Sequence, residues 1–234
     1  GAGSSIQSWD GATAGALSAS GGDVGIRLTA GDIATATGTC SFSVDVTAAV
    51  AGDYANTSSG VDSIETTPAG PVSNTAVLSA LAAPTVDKTF LSNTIGKGQS
   101  TTMTITLNNS NAVVITGVAF TDSYPADLLN AATPNLSNSC GGTVTAVAGG
   151  TSLSLSAGSI PASSSCSISV DVTSDVVNLT GYVNALAVGD VSTGNAGSNA
   201  VAATDTLIVN ATPTITKSFS FNPATGIATM DISI

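Results

Sequence analysis

Apolar and polar residues alternate along much of this chain with a period of two, at which the side chains of a β-strand return to the same face. Short clusters of Gly, Pro, Asn and Ser separate the alternating runs, as expected for turns between strands. Helical spacing does not persist for more than about one turn. We therefore predict short strands whose inward face carries Met103, Ile105, Leu107, Val114, Thr116, Val118, Phe120, Leu153, Leu155, Cys166, Ile168, Val170 and Val172.

The sequence also repeats itself. The segment "GTCSFSVDVTA" at 38–48 matches "SSCSISVDVTS" at 164–174, and "PTVDKTF" at 84–90 returns as "PTITKSF" at 213–219. Both pairs are offset by about 128 residues, which indicates a structural repeat of that length.

These offsets divide the chain at Pro84 and Pro213, and a proline can open a strand without the loss of a ladder hydrogen bond. We predict the C-terminal part of one repeat at 1–83, a complete β-sandwich repeat at 84–212, and the first strands of a next repeat, or a donor strand, at 213–234. Roughly seven short strands in each repeat predict an all-β fold, with immunoglobulin-like β-sandwich repeats in tandem.

Composition narrows the range of functions. Charged residues make up 8% of the chain, against about 25% in a typical soluble domain. The net charge of −11 and the single arginine argue against nucleic-acid binding, which requires clustered Lys and Arg. No run of about 18 apolar residues occurs, so we predict no membrane insertion. The chain has no histidine, the commonest general base and metal ligand, and we predict no enzyme, no metal site and no cofactor.

Several motifs occur together in the complete repeat: "KTF" at 88–90, "TDSYPADLL" at 121–129, "CGGTV" at 140–144, "SSCSISVDVTS" at 164–174 and "GYVNAL" at 181–186. This set resembles the tandem conserved-repeat domain of bacterial and archaeal surface and filament proteins, a family that carries a lysine in its first strand. The resemblance covers the complete repeat well and the flanking parts as incomplete copies. It implies an extracellular, cell-surface module of long arrays that act as stalks, filaments or adhesins, and it does not indicate which ligand, if any, the module binds.

We therefore expect a structural extracellular repeat protein that forms a cell-surface filament, fibre or stalk. The alternative is an adhesin-type binding module that recognises a glycan or a surface protein. Similar tandem repeats, a surface rich in Ser and Thr, and an aromatic content of 4% favour the structural role. The expected partners are adjacent repeats or other copies of the chain, joined head-to-tail.

The segment 213–234 leaves two arrangements open. It completes the 1–83 portion of a neighbouring molecule by strand addition, or it continues into a further repeat of the same chain. The second arrangement is favoured, because 1–83 and 213–234 together still lack a counterpart of residues 108–127.

The resemblance to extracellular proteins also bears on the cysteines. Cys140 and Cys166 lie in the complete repeat, and an oxidising compartment would join them in a disulfide that contributes about 3 kcal/mol. The other possibility is two buried free thiols. Cys40 occupies the place of Cys166 in the first repeat and has no counterpart of Cys140, so we predict a thiol without a partner in its own chain, which is either buried or used in a bond between chains.

The first strand of the complete repeat places a lysine among apolar residues. Alternation puts Lys88 on the inward face, and it does the same for Asp122 in "VAFTD" and Asn184 in "YVNAL". A buried amine needs a carboxylate partner or loses its charge, so one possibility is an ion pair of Lys88 with Asp122 or Asp87. The same lysine, acid and asparagine resemble the set that forms isopeptide bonds in bacterial adhesins and pilins.

The sequence does not decide which asparagine belongs to such a set, since Asn74 and Asn199 are alternatives to Asn184 as the acceptor. The incomplete repeats carry equivalent positions. Lys217 stands in the same repeated phrase as Lys88, whereas Asn56 corresponds to Asn184 but has no lysine strand before it.

Overall fold

A computed structural model describes residues 6–9, 16–18, 25–29, 41–65 and 68–234. The chain divides into two compact units, Gly1–Ala51 and Gly52–Ile234. Within the described ranges, no helix is long and apolar enough to cross a membrane. The described strands of the first unit are β1 (Ile6–Trp9), β2 (Ala16–Ser18), β3 (Arg27–Thr29) and β4 (Phe42–Val44). β1 pairs with β4 and β2 pairs with β3, both antiparallel.

The second unit begins and ends in sequence with a two-stranded antiparallel hairpin. These hairpins are β5 (Gly52–Asn56) with β6 (Ala76–Ala80), and β18 (Thr216–Asn222) with β19 (Ile227–Ser233). The strands between them are β7 (Thr85–Phe90), β8 (Thr94–Gly96), β9 (Ser100–Asn109), β10 (Ile115–Ser123), β11 (Leu129–Asn130), β12 (Ser137–Asn138), β13 (Thr143–Thr145), β14 (Ser152–Ile160), β15 (Ser164–Thr173), β16 (Asn178–Leu186) and β17 (Ala203–Asn210).

The strands from β7 to β17 form three sheets around one core. The first sheet has the order β11–β15–β9–β7, with β12 also paired to β15. The second has the order β10–β14–β13 and the third the order β16–β17–β8, and β8 pairs with β17 in parallel. A bridge between Ala119 and Ser192 joins β10 to the segment after β16. Buried residues of all three sheets form one apolar cluster, which confirms the predicted all-β sandwich.

The two longest strands of the first sheet show why this sequence forms a sandwich. β9 and β15 bury alternate side chains along most of their length, and Ile105 of β9 lies opposite Ile168 of β15. Most of the serines and threonines between the apolar residues remain partly exposed on the other face. Burial of one side chain of this size contributes about 1.5–3 kcal/mol, so the alternation itself drives the packing.

The inward positions predicted for Val114 and Thr116 are wrong, and Ile115 is buried instead. The cause is a β-bulge at Gly117, where β10 shifts its register against β14. Gly117 has a φ of 65°, which glycine adopts without strain. The extra residue inverts the alternation, and from Val118 onwards the inward residues are those predicted.

Candidate functional site

β7 buries every second side chain, and Lys88 is one of them. Val86 and Phe90 flank it on the same face and are also buried. The Lys88 side chain is fully enclosed, with an exposure of 0%. Asp87 lies on the opposite face, where its carboxylate accepts a hydrogen bond from Asn108 at 2.9 Å, so it is not the partner of this lysine.

Strands of the other two sheets bring polar side chains to the same place. Asp122 lies near the end of β10, beyond the bulge, and its side chain is also 0% exposed. Asn184 lies in β16 between the buried residues Tyr182 and Leu186, and it is itself fully buried. The core therefore contains an amine, a carboxyl group and a carboxamide, each from a different sheet.

The carboxyl group of Asp122 bridges the other two side chains. Its Oδ1 lies 2.6 Å from Lys88 Nζ, and its Oδ2 accepts a hydrogen bond from Asn184 Nδ2 at 3.1 Å. The amine and the carboxyl group compensate each other, whereas removal of either would leave the other buried without a partner. We call Lys88, Asp122 and Asn184 the core triad.

The carboxamide of Asn184 is poorly satisfied in this position. Its Oδ1 is buried and has no hydrogen-bond partner among the described residues. Its Nδ2 also contacts Met103 Sδ at 3.1 Å, and a thioether is a weak acceptor. A buried oxygen without a partner costs about 1–3 kcal/mol. The hydrogen bonds of Asn184 therefore do not by themselves account for an asparagine at this place.

Burial changes the protonation of both ionisable groups. Desolvation lowers the pKa of Lys88 below its ordinary value, against the opposing effect of the neighbouring Asp122. Desolvation likewise raises the pKa of Asp122, against the charge and hydrogen bond of Lys88 and the hydrogen bond from Asn184. Both shifts favour the neutral forms, an amine with a free lone pair and a protonated acid. The core triad thus brings together a nucleophile, a proton carrier and a carboxamide carbon.

The two rival asparagines have other surroundings. Asn199 is buried, but both ends of its carboxamide have partners: Val191 N donates to its Oδ1, and its Nδ2 donates to two backbone carbonyls nearby. These bonds hold the segment between β16 and β17 in place. Asn74 is exposed. Among the predicted acceptors, Asn184 is the one whose carboxamide contacts Asp122.

A disulfide joins Cys140 to Cys166, which confirms the predicted bond and excludes two free thiols. The Cα atoms are 5.0 Å apart, and both residues are buried. Cys140 precedes β13 and Cys166 belongs to β15, so the bond ties a loop to the first sheet. The two cysteines are 26 residues apart in sequence, and closure of a loop of this size stabilises the fold by about 3 kcal/mol.

The equivalent positions in the incomplete repeats lie in different surroundings. Lys217 is exposed in β18, and its Nζ lies 5.6 Å from the centroid of the Phe219 ring. Asn56 is exposed at the end of β5. Cys40, the predicted unpaired thiol, lies outside the residues that the structure describes. Within the described ranges, the core triad is assembled in the complete repeat.

Tyr182 contributes a contact that alternation alone did not predict. Its hydroxyl donates to Val176 O at 3.1 Å and accepts a hydrogen bond from Ser174 Oγ at the same distance, so β16 is tied to the chain just before it. A late-strand tyrosine that bonds back to upstream backbone is typical of immunoglobulin-like sandwiches. The signal that could have found it is the tyrosine in "GYVNAL", two residues before Asn184.

Asn111 holds the segment that leads into β7. Its Oδ1 accepts a hydrogen bond from Ala82 N at 2.8 Å, and its Nδ2 donates to Ala82 O at 2.9 Å. Asn109 Oδ1 in turn accepts hydrogen bonds from the backbone and side-chain nitrogens of Asn111. We call this pair of bonds to Ala82 the Asn111 clamp. Sequence reasoning missed it because a loop asparagine carries no periodic signal.

Comparison with solved structures finds matches at low identity. A cohesin module from a Clostridium perfringens family 33 glycoside hydrolase is 14% identical, with a TM-score of 0.39, over 54% of this chain and 98% of that module. A GH20 exo-β-N-acetylglucosaminidase from Vibrio harveyi is 13% identical, with a TM-score of 0.30, over 61% of this chain and 20% of that enzyme. No curated protein matches the chain.

Comparison with protein families gives a more extensive match. A domain of unknown function, DUF7933, matches residues 4–78 and again residues 84–209. The two matches follow one another and together span most of the sequence, in agreement with a repeated module. The chain therefore belongs to the family of proteins that contain the DUF7933 domain.

Proposed function

We propose that this chain is part of a structural extracellular protein, in which β-sandwich repeats follow one another to build a cell-surface filament, fibre or stalk. One observation carries the proposal: the same domain matches twice in tandem, at 4–78 and at 84–209. The phrase that opens the complete repeat at Pro84 returns at Pro213, which is consistent with a further repeat. Each added module lengthens such an array without any new kind of contact.

The disulfide supports an extracellular location. Structural disulfides persist in oxidising compartments and are rare in the reducing cytosol of most organisms. The bond between Cys140 and Cys166 is buried in the sandwich, as expected for a structural rather than a redox-active bond.

The path of the chain suits a module that is pulled from its two ends. β8 and β17 pair in parallel, with Thr94 opposite Ile208 and Gly96 opposite Asn210. β7 also packs on β17, where Phe90 N donates to Asp205, and four residues later Thr94 lies opposite Ile208. β7 and β8 therefore follow β17 in the same direction, with Pro84 before the start of β7 and Asn210 at the end of β17. Force applied between these ends would act along the strands and load several hydrogen bonds together, which supports a structural role.

The Asn111 clamp supports the same role. It binds Ala82 through both backbone groups, just before the first strand of the sandwich. Tension on the preceding chain would therefore pass into the sandwich at Ala82, before it reached β7.

Electron microscopy of the native protein, isolated from the surface of the cells that produce it, tests this proposal. We expect a fibre with an axial repeat of one or two sandwich lengths, and loss of that fibre when intact cells are treated with protease. Protein that survives as single particles inside protease-treated cells would contradict the proposal. A glycan array probed with the 234-residue chain tests the adhesin role, and saturable binding to one class of glycan would favour that role instead.

A further inference from the structure

The core triad contains more than an ion pair requires. Lys88 and Asp122 already satisfy each other at 2.6 Å, yet β16 brings a carboxamide to the second oxygen of the same carboxyl group. The oxygen of that carboxamide is buried and has no partner among the described residues. This arrangement is explained if the carboxamide carbon of Asn184 is placed there to react.

We propose that Lys88 and Asn184 become joined by an isopeptide bond from Lys88 Nζ to Asn184 Cγ, with Asp122 as the proton carrier. The bond forms inside one folded chain and needs no cofactor and no co-reactant. It links β7 of the first sheet to β16 of the third sheet. The inference does not rest on the filament role, since it concerns chemistry inside a single sandwich.

The reaction balances with the atoms of these three side chains. The lone pair of the neutral Lys88 amine attacks Asn184 Cγ and forms the new carbon–nitrogen bond. Asp122 begins protonated, gives its proton to Asn184 Nδ2, and receives one from Lys88 Nζ. The bond between Cγ and Nδ2 then breaks, and ammonia leaves. One proton has moved from Nζ to Nδ2, and nothing has been oxidised or reduced.

The observed contacts match this proton route. The two oxygens of Asp122 already contact the two nitrogens between which the proton moves, Lys88 Nζ and Asn184 Nδ2. Burial lowers the pKa of Lys88 and raises the pKa of Asp122, and both shifts are in the direction of the neutral amine and the protonated acid that the reaction uses. After the reaction, the protonated acid can donate to Asn184 Oδ1, the oxygen for which the described part of the chain provides no partner beforehand.

The surroundings also favour the reaction. All three residues belong to strands of the sandwich, so packing holds their backbones in fixed positions. The side chains of Lys88 and Asp122 are closed off from solvent, which keeps water from competing with the amine at the carbonyl carbon. Positioning of this kind converts a slow encounter between an amine and an amide into a reaction within one structure.

Intact-mass measurement on the folded 234-residue chain tests the proposal directly. The protein is denatured and reduced before it is weighed, so that the disulfide does not affect the result. We expect a mass lower than the sequence mass by one ammonia. We also expect proteolysis to release one branched species that contains both Lys88 and Asn184. The full sequence mass would overturn the proposal, and so would an ammonia loss with only linear peptides, which indicates cyclised asparagine elsewhere.

Single substitutions assign the roles within the core triad. Lys88→Met, Asn184→Ala and Asp122→Asn should each give the full mass of the variant chain. Lys217→Met is the matched control, because it removes a lysine from the same repeated phrase but from an exposed strand, and it should keep the ammonia loss. Retention of the loss in Lys88→Met or Asn184→Ala would overturn the bond, and retention in Asp122→Asn would overturn the proton route.

A variant that fails to fold would also lack the bond. Formation of the Cys140–Cys166 disulfide therefore serves as the check of folding for each variant. If no variant folds, the mass and the branched peptide of the unsubstituted chain decide the proposal without them.

Discussion

The segments that begin at Pro84 and at Pro213 carry nearly the same phrase and form nearly the same antiparallel strand pair. In the first, β7 pairs with β9, and Lys88 lies opposite Ile105. In the second, β18 pairs with β19, and Lys217 lies opposite Ile232. Both pairs are antiparallel, and in both the lysine is placed across from the same type of residue. The two copies of the repeated sequence thus share the same register.

Burial distinguishes the two segments. Ile105 is 0% exposed, whereas Ile232 is 51% exposed, and both strands of the second hairpin are exposed along their whole length. The difference arises because β15 and β17 pack on the first pair, and side chains of β10 and β16 contact Lys88 and Met103 from the other sheets. Together they complete one core. A hairpin of two strands buries little apolar surface by itself.

The two lysines show what this difference means for chemistry. Lys88 faces a carboxyl group and a carboxamide in the core, whereas Lys217 lies over the face of Phe219 at 5.6 Å from the ring centroid. An exposed cation–π contact contributes about 0.5–1 kcal/mol and leaves the amine charged in water. The same residue in the same phrase is therefore a candidate nucleophile in one place and a solvated cation in the other.

Replacement of each lysine by alanine, one at a time, should give the largest difference in the free energy of unfolding between the two segments. Lys88→Ala leaves the carboxyl group of Asp122 buried without its partner, and we expect the free energy of unfolding to fall by about 3–5 kcal/mol. Lys217→Ala removes an exposed side chain and its contact with the Phe219 ring, and it should lower the free energy of unfolding by about 1 kcal/mol or less. Urea denaturation followed by circular dichroism measures both. Equal effects of the two substitutions would contradict the distinction between the core and the exposed lysine.

The isoleucines that face these lysines give the next largest effect. Ile105→Ala opens a cavity in a fully buried part of the core and should lower the free energy of unfolding by about 2–5 kcal/mol. Ile232→Ala, at the matching position of β19, should change it by about 0.5 kcal/mol or less. The same denaturation experiment measures this pair. A large loss in Ile232→Ala would show that the second hairpin has a packed partner in solution.

Alternation predicted the inward residues of the long strands because ten residues contain several complete periods, as in β9 and β15. The strands β8, β11, β12 and β13 have only two or three residues each, too few to show a period. Their pairing depends on the register of distant strands. The start of β10 was predicted with the wrong parity, because a bulge is a local insertion that alternation cannot detect.

The core triad also shows which features of a site alternation can and cannot predict. Alternation places Lys88 and Asn184 on inward faces, and the prediction for Asp122 depends only on Val118 and Phe120, both beyond the bulge. Alternation cannot predict how close the three sheets come to one another. It also cannot predict that both oxygens of Asp122 have partners while Asn184 Oδ1 has none among the described residues. Those facts follow from packing, which the sequence specifies only through all of its core residues together.

The smallest expected effect is a change in hydrogen exchange just before β7 and β18, at Ala82 and at the matching Ala211. Asn111→Ala removes both hydrogen bonds to Ala82, each of which contributes about 1 kcal/mol. Hydrogen exchange followed by NMR should show exchange of the Ala82 N–H that is about 5–30 times faster, the range that corresponds to the loss of one or both bonds. Ala211 is exposed, and its exchange should not change.

Asn111→Asp tests the amide nitrogen of the clamp. The carboxylate keeps an oxygen that can accept from Ala82 N, but it sets its second oxygen against Ala82 O and Asn109 Oδ1, the two acceptors of the Asn111 nitrogen. We therefore expect the Ala82 N–H to lose at least as much protection as in Asn111→Ala. Unchanged protection in Asn111→Ala would instead mean that the backbone before β7 is held by the sandwich without the clamp. In that case the pairing of β7 with β9 would by itself hold the chain where it enters the sandwich. β18 and β19 form an equivalent pair, so Ala82 and Ala211 would then be held in the same way.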